Sequence, residues 1–135
     1  VNMFYKLAVN YALRKMRVGK SDYRKIALDL YLESIDNGSL LNDGYLSPRP
    51  FSNIVKLAIN TKPHDWTEEF INEKSHLLAP DTRQNTLDYN LAVFYYATKN
   101  YSAAQLKLLQ VEFSDLQYYL GGRILLAKIY YENSE

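Results

Sequence analysis

The 135 residues suffice for one domain, and the balance of 47% apolar to 23% charged side chains excludes a disordered chain. A formal net charge of +1 supplies no general attraction to nucleic acid or an anionic membrane, so neither is expected as a partner. Cysteine is absent, which excludes disulfides, thiol catalysis and thiolate metal sites, and no apolar run approaches the roughly 20 residues that cross a bilayer.

Apolar residues follow helical spacing along nearly the whole chain, with no sustained alternation of the strand type. A first helix is predicted over residues 2–17, carrying Phe4, Leu7, Ala8, Tyr11 and Met16, with Gly19 as its terminator. The chain opens with Val1 rather than methionine, directly at the start of this helix, so it is expected to be a piece of a longer protein. Ser21 or Asp22 is the expected cap of a second helix, which carries Ile26, Leu30 and Ile35 and stops at Asn37-Gly38. Residues 39–50, with Gly44, Pro48 and Pro50, read as a loop. A third helix spans 51–61 and breaks at Pro63. With His64 in the loop, Asp65-x-x-Glu68 forms a capping box for a fourth helix that ends before Pro80. Asp81-x-x-Gln84 caps a fifth, reaching Lys99. A tight turn at Asn100 leads into a sixth over 101–113, and Ser114-x-x-Gln117 caps a seventh that continues to Tyr131. The expected class is all-α with about seven helices.

One local pattern recurs four times: Phe4-x-x-Leu7-Ala8-x-x-Tyr11, Ile54-x-x-Leu57-Ala58-x-x-Thr61, Asp88-x-x-Leu91-Ala92-x-x-Tyr95 and Arg123-x-x-Leu126-Ala127-x-x-Tyr130. The leucines are 50, 34 and 35 residues apart, and the 39–50 loop accounts for the long first interval. A period near 34 marks stacked helical hairpins. The small alanine lets a neighbouring helix approach closely while Leu and Tyr fill the space beside it.

The third copy, Tyr89-Asn90-Leu91-Ala92-Val93-Phe94-Tyr95-Tyr96 followed by Asn100-Tyr101-Ser102-Ala103-Ala104, resembles the tetratricopeptide repeat superfamily. The resemblance implies a right-handed α-solenoid of antiparallel helix pairs, with repeats near 1–38, 51–80, 81–113 and 114–135. The chain departs from the pattern in places. Asp88 and Arg123 stand where a bulky residue is expected, only Pro80 matches the terminating proline, and the turn of the first repeat is displaced.

In such arrays the first helix of each pair lines a concave groove that receives a peptide. The resemblance places Tyr5, Val9 and Ala12 there, then Val55, Lys56, Ile59 and Lys62, then Tyr89, Val93 and Tyr96, and finally Ile124, Lys128 and Tyr131. This apolar, tyrosine-rich lining fits a peptide or protein segment with hydrophobic anchors. It lacks the paired lysines and asparagines that grip acidic chaperone tails.

Other signals carry less. Arg14, Lys15, Arg17, Lys20, Arg24 and Lys25 cluster at the first turn, where cations favour a helix C-terminus. Glu73-x-x-His76 is a single segment of the kind that di-iron bundles use in pairs, and His64, Asp65 and Ser75 lack a nucleophile turn. Gly121-Gly122 suits close helix approach rather than a phosphate loop. RNA-reading arrays need small polar residues where tyrosine, valine and isoleucine stand here. No catalytic residue, metal ligand or cofactor is expected.

The last helix is apolar nearly all round, through Ile124, Leu125, Leu126, Ile129, Tyr130 and Tyr131, whereas a closing helix turns a polar face to water. A cover is therefore expected, from further repeats or a second copy. Two readings follow: a scaffold that binds protein in the groove, or a dimerisation and adaptor segment that uses the last helix.

Overall fold

The computed structural model describes residues 7–8, 10–11, 23–112 and 116–133. Six helices and one 3₁₀ turn are formed among them, with no strand. These are α1 (Tyr23–Asp36), α2 (Pro48–Thr61), α3 (His64–Lys74), the 3₁₀ turn Ser75–Leu77, α4 (Pro80–Ala97), α5 (Tyr101–Gln110) and α6 (Leu116–Asn133). Of the helix predicted over 2–17, Leu7, Ala8, Asn10 and Tyr11 are helical and the remainder lies outside the described residues, as do Ser21, Asp22 and Ser114. The described chain divides into two compact units, Val1–Pro63 with Leu77–Ala79, and His64–His76 with Pro80–Glu135.

In the first unit α1 packs on α2. The buried side of α1 is Ala27, Leu28, Tyr31 and Ser34, one residue away from the stripe that its isoleucines suggest, and Ile26 is 48% exposed. The small Ala27 and Ser34 fit on this buried side, where the Tyr31 hydroxyl stays satisfied. Asn53 Nδ2 donates to that hydroxyl at 3.2 Å, and Ser34 Oγ donates to the Leu30 carbonyl at 2.7 Å. Burial still raises the Tyr31 pKa, against the opposing influence of Asn53 and Arg49.

The segment predicted as a loop is more ordered than its composition suggests. Asn42 and Tyr45 exchange backbone hydrogen bonds of 2.7 and 2.9 Å around Asp43 and Gly44, both at positive φ as a type I′ turn requires. Leu46 then donates its N–H to the Leu77 carbonyl at 2.8 Å and is buried with Leu78. Helix α2 starts at Pro48, three residues before the predicted boundary. Its prolines fall in the first turn, where N–H groups have no intrahelical acceptor to lose. Phe51, Ile54, Val55, Leu57 and Ala58 form its buried side.

In the second unit α4 is central and packs against α3, α5 and α6. His64 and Pro80 are the first residues of their helices, so Asp65 and Asp81 sit one step inside rather than at the caps. There their carboxylates meet the positive end of the helix dipole. Helix α4 ends in a Schellman arrangement: Asn100 N–H donates to the Tyr95 carbonyl at 2.8 Å and Lys99 N–H to that of Tyr96 at 3.0 Å, with Lys99 at φ +65°. Asn100 then caps α5, its side chain accepting from Ala103 N–H at 3.4 Å.

Ala92, Ala104, Leu108, Leu125 and Ile129 form the core of this unit, with Tyr89, Val93, Tyr95, Tyr96, Tyr101 and Leu126 packed against it. Ala58 and Ala92 are fully buried, as close-approach notches should be, and Ala8 is half-buried. Ala127 is exposed, contrary to expectation. Helix α6 turns Tyr118, Gly122, Leu125 and Ile129 inward, a stripe at spacings of four, three and four, and the close approach falls at Gly121, against Tyr89, rather than at Ala127.

Candidate protein-binding surface

The residues assigned to a groove divide into three groups. Tyr5, Val9 and Ala12 lie outside the described residues. On α2, Lys56 is exposed and Ile59 and Lys62 are half-buried, but Val55 is fully buried and is corrected to a core residue. One step of 100° separates it from Ile54 on the same inward face. On α4, Tyr89, Val93 and Tyr96 are half-buried against the core, whereas Ile124, Lys128 and Tyr131 on α6 are exposed.

The α4 tyrosines are held by neighbours. The Tyr89 ring lies 5.2 Å from that of Tyr118, and its hydroxyl occupies the space beside the Cα of Gly121, where a side chain would collide with it. Burial, then the neighbouring Tyr118, raises its pKa. Tyr96 packs on Tyr101 at 5.6 Å. The Tyr95 hydroxyl donates to Glu68 Oε2 at 3.3 Å, tying α4 to α3, and burial followed by that carboxylate raises its pKa. Tyr101 is raised by desolvation first and next by Glu132, to which it is hydrogen-bonded.

A polar layer fixes the helices among themselves. Asp88 is 2% exposed, accepts from Gln84 Nε2 at 3.1 Å on both oxygens, and meets Lys107 Nζ at 3.8 Å. Thr86 Oγ1 and the Tyr118 hydroxyl share a buried hydrogen bond of 2.7 Å. The Asn85 amide pairs with the backbone of Glu112, donating to its carbonyl at 3.1 Å and accepting from its N–H at 3.0 Å. The acidic residue at the motif position of α4 is thus an internal tie between α4 and α5.

The remaining polar signals are local. His64 packs edge-on against Phe94 at 6.0 Å, and the His76 ring meets the carbonyl oxygen of Glu73, one turn back on its own chain. A hollow of about 200 Å³ runs along one face of α3, lined by Trp66, Glu69, Phe70, Glu73 and Lys74, and it is open to solvent.

The outer face of α6 is different in kind. Leu120, Ile124, Ala127 and Tyr131 recur at spacings of four, three and four on the side opposite the buried stripe. Ile124 is 59% exposed and Tyr131 69%. Tyr119 and Tyr130 extend the patch along one flank. The resemblance marked only Ile124, Lys128 and Tyr131 here; Leu120 and Ala127 were missed, although their seam spacing was present in the sequence. Comparison of the chain with protein-family models, curated proteins and solved structures gives no match.

Proposed function

We propose that this chain is a protein–protein interaction segment of tetratricopeptide-like helical-repeat type, and that it engages its partner through the outer face of α6. One observation carries the reading: α6 has two opposed apolar stripes, Tyr118, Gly122, Leu125 and Ile129 facing inward with Leu126 packed beside them, and Leu120, Ile124, Ala127 and Tyr131 facing outward. A row of Leu120, Ile124 and Ala127 exposed along one helix face, continued by the largely exposed Tyr131 ring, is the mark of an interaction site. The groove reading has weaker support, because Tyr89 and Tyr96 are spent on internal ring contacts. No catalytic role is proposed.

The test places a photo-crosslinking amino acid at Ile124 or Tyr131, and at Tyr96 as the groove control, in the chain expressed in its native cells. Adducts from Ile124 and Tyr131 that vanish when Leu120→Asp is added are the expected result. Adducts from Tyr96 alone would return the partner to the groove. Ile129 is unsuitable as a probe, since it is fully buried.

A further inference from the structure

Resting on the assignment of the α6 outer face as the contact surface, we infer that its partner is an amphipathic helix with acidic residues along both flanks of its apolar stripe. The charges on α6 carry the inference. Arg123 and Lys128 are exposed and lie about 70° to either side of the Leu120–Tyr131 seam at 3.6 residues per turn. The third charged residue of the described helix, Glu132, is half-buried and hydrogen-bonded to Tyr101. Arg123 lies over the Tyr119 ring at 5.8 Å, and no acidic side chain among the described residues pairs with Arg123 or Lys128. The exposed face is therefore an apolar seam between two cations that no carboxylate among the described residues pairs, Glu132 being half-buried at its edge.

That arrangement matches the flanking positions of a helical zipper, where charge selects the partner. Ala127, set between Ile124 and Tyr131, leaves a hole that a leucine or isoleucine knob from a facing helix fills. The seam from Leu120 to Tyr131 is about 16 Å long, so three to four turns of partner helix cover it. A second copy of the chain brings like charges to the same seam and adds no acid. A bilayer has no knob for the alanine hole.

The experiment uses the full chain and a fluorescent synthetic helix with leucines along its seam and glutamates on both flanks. The same helix with lysines replacing the glutamates is the control, and binding is read by anisotropy. The glutamate probe is expected to bind at least about tenfold more tightly than the lysine probe, with the advantage shrinking as salt rises. The Arg123→Glu/Lys128→Glu variant should reverse the preference, the Arg123→Gln/Lys128→Gln variant should remove it, and Ile124→Asp should abolish binding of both. Equal affinity for the two probes, lost on Ile124→Asp, overturns the acidic partner and leaves the contact surface standing. Binding that survives Ile124→Asp overturns both. Failure to bind either probe overturns the acidic helix, as does self-association seen by light scattering and lost on Ile124→Asp. So does flotation with phosphatidylcholine–phosphatidylserine vesicles.

Discussion

Helices α4 and α6 are both 18 residues long and both carry the Leu-Ala-x-x-Tyr pattern, yet they use it in opposite ways. In α4, Leu91 and Ala92 are buried and Tyr95 reaches Glu68, because α3, α5 and α6 surround that helix. In α6 the same pattern is rotated outward: Leu126 is half-buried, and Ala127 and Tyr130 are exposed. A local motif therefore specifies a helix and a candidate notch. The neighbours decide which side of it is closed.

The sharpest way to break this contrast is a charge on each side of α6. Ile129→Asp buries an unpaired carboxylate and should cost about 4 kcal/mol or more, whereas Ile124→Asp should change stability by less than about 0.5 kcal/mol; urea denaturation of the two variants decides. Enlarging the two motif alanines comes next. Ala92→Leu overpacks the core at a cost of about 2 kcal/mol, and Ala127→Leu should be neutral within about 0.5 kcal/mol, both read as shifts in melting temperature.

The contact between the two helices gives a smaller effect. Gly121→Ala gains about 1 kcal/mol of helix propensity but displaces the Tyr89 hydroxyl, for an expected net loss of about 1 kcal/mol. Adding Tyr89→Phe, which removes the colliding oxygen, should recover part of that loss in a double-mutant cycle. If the two substitutions are additive, Tyr89 does not depend on the glycine.

The pH dependence is the gentlest test. Tyr89 and Tyr95 have folded-state pKa values above the ordinary 10.0, so the folded protein favours their neutral forms. Their contribution is fully present below pH 10.0 and is lost as pH rises through the folded values. Stability should therefore fall above about pH 10, less steeply in Tyr89→Phe, as followed by circular dichroism.

Much of the helical architecture was legible in the chain. Repeating apolar positions marked α1 to α6, and Asn37-Gly38 and Asn100 marked turns, because glycine and asparagine tolerate the backbone that ends or caps a helix. Boundaries were misplaced where a residue suits two roles. Pro48 and Pro50 break a helix interior but are welcome in a first turn, and Asp65 and Asp81 act as caps or as first-turn carboxylates. The inward side of α1 was obscured because Ala27 and Ser34 look unimportant by hydrophobicity although both are buried. Of the residues assigned to a groove, Ile124, Lys128 and Tyr131 are exposed, whereas the engagement of Tyr89 by Gly121 depends on a tertiary neighbour that no local spacing reveals.

The Asn85–Glu112 amide pair has a consequence for recognition. Alongside it, the Thr86–Tyr118 hydrogen bond ties α6 to α4 near its start, and the Tyr101–Glu132 hydrogen bond ties its last turn to α5. The seam between them is preorganised, so a docking ligand forfeits little conformational entropy in the receptor and complex formation should approach a rigid-body encounter.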